Sequence, residues 1–404
     1  MFGRSLCSPL FALLVAAACG RPTAPRPATA AQASAPPPET RGQLAQVRPP
    51  PAPCARRGSP RLLLEQADHE LDRGEPGRAL SCAEEALRAA PRLVAALRLR
   101  AEALGELDRT DEARLTLSRA LAIDPDDAAT LRAAAELYVA RLPGDRATLE
   151  LGLEYALRGA RVVERAARPD RELSSALFLL AAMAENDLGA SRDALAHADR
   201  ALALSGDDPD AHYERGVALY ELCRFEEARQ ALERVRARQP DDAWTLHYLA
   251  LVAERTGHGR HAEELERRAR TLAPDEFGGG VTISRADFEA EVKRAVAALP
   301  EVERRALAKV PLEVADVPAL DDLTAVDPPL SPSILGLFRG PSEGEPCLPD
   351  DGPRCRSVVL YRLNLARFAR SRTDLAEQVR VTLLHELGHL HGESDDELRA
   401  RGLE

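Results

Sequence analysis

Gly216-Val217-Ala218-Leu219-Tyr220, followed after a short break by Phe225-Glu226-Glu227-Ala228, is the stretch that decides the fold. Two of its small residues, Gly216 and Ala228, belong to ladders that recur every 34 positions. Ala67, Ala101 and Ala135 form one ladder, and Ala182, Gly216 and Ala250 continue it after an insertion. A second runs through Ala79, Ala113, Ala194, Ala228 and Ala262, and a third through Ala86, Ala120, Ala201, Val235 and Ala269. Pro91 and Pro125, then Pro240 and Pro274, keep the same period. A small residue at a fixed place in each unit marks a close contact between two helices, and a proline after it ends the second helix. Ala135 and Ala182 are 47 apart, so the extra residues are expected to lengthen a loop near Leu142-Pro143-Gly144-Asp145.

This period and these positions resemble the tetratricopeptide repeat, two antiparallel helices per unit. The resemblance implies about six repeats over residues 60–277, the third expanded, stacked into a superhelix. It also implies that a concave face binds a peptide or a partner protein.

A second stretch carries chemistry. In His385-Glu386-Leu387-Gly388-His389 two histidines four apart share one face of a helix, with a glutamate beside the first. That spacing suits Zn²⁺ with a general base next to it. His391, Gly392, Glu393, Asp395 and Asp396 follow, offering a turn and a third, carboxylate ligand. Composition alone would produce the motif with its following glycine and acid roughly 0.0003 times. Asp374 is a plausible N-cap for the helix, and Leu375, Val379, Leu383, Leu384 and Leu387 recur as on a helix packed on one side. A Met-turn cannot follow, because the methionines are Met1 and Met183.

Upstream, Gly278-Gly279-Gly280 separates the repeats from a different pattern. Ser284 begins a helix over Arg285–Leu299, with Asp287 completing a loose capping box. Pro311–Ala315 and Ser357–Tyr361 read as strands, with a Pro/Gly/Asp-rich loop between them. Together with Ile283–Phe288, Leu335–Gly340 and Val359–Arg362, the terminal motif is similar to the zincin-like "minimal" metallopeptidases of bacteria. The resemblance covers residues 281–404. It implies His385, His389 and Asp395 as zinc ligands and Glu386 as the catalytic base, with Glu393 and Asp396 as the local rivals of Asp395. Tyr361 and Arg362, on a strand read as an edge, are candidates for contacting a peptide or protein substrate, which could pair with that strand. Phe338 stands where the family commonly has tyrosine, and 341–356 is a cysteine-bearing insert.

The first nineteen residues read as an export signal: Arg4, then the apolar Leu10–Ala18, then Cys19 as a lipidation site of the lipoprotein type. The alternative is ordinary cleavage to a periplasmic or secreted protein. In a Gram-negative cell, Gly20 favours the outer membrane. Residues 20–59 are Pro- and Ala-rich, as a tether would be. The membrane is therefore expected to be met through a lipid anchor only. Of the seven cysteines, Cys347 and Cys355 could close a small loop as a disulfide, while Cys82 and Cys223 read as small core residues inside helices. A net charge of −11 and the absence of a long basic run argue against nucleic acid.

The sequence thus predicts a mainly α protein: signal peptide 1–19, tether 20–59, an α-solenoid of repeats 60–277 and a small α+β zincin-like domain 278–404. The expected function is zinc-dependent hydrolysis of peptide bonds, with the repeats recruiting substrate or partner. The alternative is a repeat-based binding lipoprotein whose zincin domain is structural or weakly active.

Overall fold

The structure, a computed structural model, describes residues 54, 59–142, 144–347 and 355–403. The signal segment, the lipidation candidate Cys19 and most of the tether lie outside the described residues. Twelve helices make six consecutive pairs: α1 Pro60–Asp72 with α2 Pro76–Ala89, α3 Val94–Glu106 with α4 Thr110–Ile123, α5 Ala128–Glu136 with α6 Arg146–Arg165, α7 Arg171–Asp187 with α8 Ser191–Ser205, α9 Pro209–Glu221 with α10 Phe225–Arg238, and α11 Ala243–Arg255 with α12 Gly259–Leu272. Beyond them come α13 Pro274–Phe277, α14 Arg285–Ala298, α15 Glu301–Leu307, β1 Leu312–Ala315, α16 Leu320–Leu323, β2 Gly336–Arg339, β3 Ser357–Tyr361, α17 Arg362–Phe368, α18 Arg372–His391 and α19 Asp395–Ala400. The chain divides into two compact units between Ala211 and His212, inside α9.

In the unit ending at Ala211, the ladder alanines Ala67, Ala79, Ala86, Ala101, Ala113, Ala120, Ala135, Ala182, Ala194 and Ala201 are all buried. They let paired helices approach while Leu63, Leu97, Leu99, Leu104, Leu131 and Leu177 fill the space between them. Burial of such leucines stabilises by about 1.5–3 kcal/mol each. Asp127, Asp145 and Asp170 cap α5, α6 and α7 through their side chains, supplying acceptors for otherwise unpaired amides. The insertion between Ala135 and Ala182 is not mainly a loop. It extends α5 by a π-helical segment, Leu137–Arg141, and makes α6 a helix of 20 residues. Gly152 permits this, since a Cβ there would meet Val139 Cγ2 at 2.6 Å. Cys82 is likewise not a plain core thiol: it is joined to Cys54 as a disulfide.

The unit from His212 onward holds α9–α12 together with the mixed sheet. The remaining ladder positions Ala228, Val235, Ala250, Ala262 and Ala269 are buried. Gly216 faces Leu232 so closely that a Cβ would lie 2.7 Å from its Cγ. Cys223 lies in the turn between α9 and α10 rather than within a helix, with φ +58°. The sheet order is β1-β3-β2, with β1 parallel and β2 antiparallel to β3. Every residue of β3 is buried, because both of its faces are covered. Val358 and Leu360 join Phe288 and Val292 of α14 and Val379, Leu383 and Leu387 of α18. Val359 and Tyr361 point the other way, against Leu323, Leu330 and Ile334, with Cys223 at the margin. Cys223 Sγ contacts the Leu330 carbonyl at 3.7 Å, and Arg367 of α17 pairs with Glu254 of α11 at 2.5 Å.

This topology corrects one expectation. Tyr361 sits at the end of the central strand and is fully buried, and Arg362 is engaged by Asp316 and the Ile283 carbonyl. Neither is on a free edge. The edge beside α18 is β2, from a segment expected to be loop.

Candidate metal centre

α18 begins at Ser371, whose hydroxyl accepts from the Asp374 amide, so the helix starts three residues before the expected cap. Leu375, Val379, Leu383 and Leu387 are its buried stripe. The fixed burial of that stripe sets where the other faces point, and it places His385 and His389 one turn apart on the same side. Gly392 ends the helix with φ +87°, a left-handed conformation that costs glycine nothing. Its amide bonds the His389 carbonyl and the Glu393 amide bonds the Gly388 carbonyl. The chain therefore doubles back. Ser394 and Glu397 form a reciprocal capping box that starts α19, and Asp395 is the first residue of that helix.

The three side chains converge. His385 Nε2 and His389 Nε2 are 3.0 Å apart, and Asp395 Oδ1 lies 3.5 Å from the first and 3.3 Å from the second. Both Nδ1 atoms are committed to carbonyls: His385 to Leu403 at 2.6 Å and His389 to Glu393 at 3.0 Å. A carbonyl only accepts, so each Nδ1 carries a proton, and each ring in its neutral form turns a lone pair inward at Nε2. Asp395 adds two buried carboxylate oxygens without a hydrogen-bond partner. A pocket made only of acceptors is costly unless a cation fills it. Tetrahedral zinc with bonds near 2.1 Å needs its ligand atoms about 3.4 Å apart, close to the separations here. The residues fit the ion.

Among the described residues this is the one His/Cys/Asp/Glu group disposed to hold a metal. The rivals of Asp395 are engaged elsewhere: Glu393 pairs with Arg401, and Asp396 pairs with Arg399 at 2.7 Å. His391 turns outward to Glu303 and Glu343. Of the histidines in the repeats, His197 and His247 bond Glu185 and Glu266.

Electrostatics separates the two acids of the centre. Burial alone would raise the Asp395 carboxyl, but the His385 and His389 rings, once they carry a second proton, more than offset it and hold it at about 2. Burial dominates at Glu386 and pushes its carboxyl up, opposed by His385, His389 and the Phe338 amide, which donates to it. That last bond lies on β2. The approach is close enough that a Cβ on Gly336 would meet Thr382 Cγ2 at 2.6 Å and Glu386 Oε1 at 2.8 Å. The insert is anchored beside the same helix. Glu343 donates its amide to the Leu390 carbonyl, Arg356 clamps the Pro341 and Ser342 carbonyls, and Cys347 and Cys355 are joined as a disulfide.

Sequence reasoning missed the strand character of Gly336–Arg339 and the carbonyls of Leu403 and Glu393. Gly336 itself was the available signal, a glycine where a backbone must pass close to a side chain.

Family models agree with this architecture. Tetratricopeptide repeat models match residues 64–128 and 182–253, and a zincin-like metallopeptidase model matches residues 307–403. A comparison with curated proteins finds no match. Among solved structures, PilW, a type IV pilus biogenesis factor, is similar at 20% identity and a TM-score of 0.46, over 53% of this chain and 94% of its own. PilF of Pseudomonas aeruginosa is similar at 17% identity and a TM-score of 0.46, over 57% and 97%. YrrB, described as a tetratricopeptide protein with an unusual peptide-binding site, gives 18% identity and a TM-score of 0.37, over 48% and 93%. The chain carries tetratricopeptide repeats and, within residues 307–403, a zincin-like metallopeptidase domain that contains His385, Glu386, His389 and Asp395.

Proposed function

We propose that the protein is an exported, lipid-anchored zinc peptidase whose repeats bring it to a protein substrate or partner. The observation that carries the reading is the acceptor-only cluster of His385, His389 and Asp395 with a buried carboxyl, Glu386, held next to it. A site with a purely structural metal has no use for that carboxyl. Zinc, when bound, would polarise the scissile carbonyl and lower the pKa of a water. Glu386, beside the ligand set, would take a proton from the attacking water and return it to the leaving amine, and its raised pKa suits both halves of the exchange. The Phe338 amide favours the ionised carboxylate, and β2 offers an outer edge to which an extended peptide can add. Export is supported by the two cystines, which belong to an oxidising compartment, and by the Arg4-to-Cys19 segment.

The test is zinc content and peptide-library hydrolysis of residues 20–404. About one zinc per chain is expected, lost in Asp395→Ala and kept in Glu386→Ala, while Glu386→Ala loses about 10²–10⁴-fold in hydrolysis. An intact chain that takes up no zinc overturns the reading. One that binds zinc and cleaves nothing in the library returns the repeat-scaffold alternative.

A further inference from the structure

The geometry points to the backbone carbonyl of Leu403 as a positioning element of the metal centre, so that the segment after α19 is part of the site rather than a tail. This rests on the zinc reading above. The segment is held from both ends. The Leu403 amide bonds the Leu398 carbonyl, Leu403 itself is buried, and Leu398 packs so tightly across α18 that a Cβ on Gly388 would lie 2.2 Å from it. The Leu403 carbonyl thereby arrives 2.6 Å from His385 Nδ1. His389 donates the equivalent bond to the carbonyl of Glu393, only four residues on, through the helix-ending turn. His385 has no such local partner, because its Nδ1 points into the body of the domain and needs an acceptor brought from eighteen residues away.

Without that acceptor the His385 ring is free to turn and to place its proton on Nε2, where it would block the metal. Outer bonds of this kind are worth about 10–100-fold in metal affinity. They act through the ligand, not on the reacting atoms.

The experiment measures zinc affinity by chelator competition, with the folded state of the metal-free protein followed by circular dichroism. Three chains are compared: residues 20–404, the same chain ending at Gly402, and Leu403→Ala, which keeps the carbonyl and removes the side chain. The shortened chain is expected to bind zinc about 10–100-fold more weakly, and Leu403→Ala to lose several-fold less than that. Equal losses in both variants, or a shortened chain within about threefold of the intact one, overturn the proposal. If the shortened chain fails to fold, ¹⁵N-histidine spectra of the zinc-loaded intact chain decide. A slowly exchanging Nδ1 proton on His385 supports the bond, and its absence overturns it. An intact chain that binds no zinc defeats the metal reading itself. Zinc bound equally with and without Leu403 defeats the positioning alone.

Discussion

The repeat helices and the candidate metal centre use small residues and histidines for opposite ends. In the array, Ala67, Ala101, Ala135 and their counterparts do one job many times, and each is a local contact between two helices. In the centre, Gly336, Gly388 and Gly392 each do a different job once: close passage over Glu386, close passage of Leu398, and the left-handed stop of α18. The histidines differ likewise. His197 and His247 each meet one carboxylate, whereas His385 and His389 aim two lone pairs at a space shared with a carboxylate. Repetition spreads a fold over many residues, and convergence concentrates a function in a few.

Two glycine variants sharpen this contrast and should give the largest effect. Gly336→Ala puts a methyl group within 2.6 Å of Thr382 and 2.8 Å of Glu386. Hydrolysis should drop about 10²-fold, since a displacement near 1 Å at a reacting group can cost that much, while zinc stays bound. Gly216→Ala puts a methyl group within 2.7 Å of Leu232, an equally tight place. It should cost about 1–3 kcal/mol in stability and leave hydrolysis per folded molecule unchanged. Equal kinetic losses in the two would break the comparison.

The next effect concerns the first repeat. The Cys54–Cys82 bond closes a loop of 28 residues, for which chain entropy predicts about 3–4 kcal/mol of stabilisation. Cys82→Ala should lower the denaturant midpoint accordingly and expose α1 and α2 to proteolysis, with zinc content unaltered. A midpoint within error of the parent would mean that helix packing alone holds this end.

Much of this was legible in the sequence because steric and chemical requirements recur at fixed spacing. A 34-residue ladder of alanines has few other meanings, and two histidines four apart on a helix with a buried stripe face one way. What was not legible depends on partners distant in sequence. Gly336–Arg339 is only four residues, beginning with one glycine and followed by another, too short to show strand alternation, and becomes a strand because β3 pairs with it. Tyr361 looked like an edge residue until β1 and β2 were seen on both sides of β3. Cys82 fits a helical core pattern equally well with or without a bond to Cys54. The Leu403 carbonyl has no side-chain signature at all.

The smallest expected effect tests whether a histidine of the array behaves as a simple ion pair. His197 Nδ1 lies 2.7 Å from Glu185 Oε2, with Phe178 stacked on its ring. The bond to Glu185 raises the His197 pKa against the opposing effect of burial. A raised histidine stabilises the fold fully below its unfolded value, near 6.5, and the contribution is lost as pH climbs through the folded value. Burial raises Glu185 as well, and a raised carboxyl also loses its contribution as pH increases, though from the lower carboxylate range upward. Both terms have the same sign. Amide exchange in α7 and α8 should therefore quicken, beyond its intrinsic dependence, as pH rises above about 6.5, by an amount corresponding to about 0.5–1.5 kcal/mol. His197→Gln should remove that window and leave the lower one. If the window survives the substitution, the titrating group is elsewhere, and His197 is held by its stacking on Phe178 rather than by its charge.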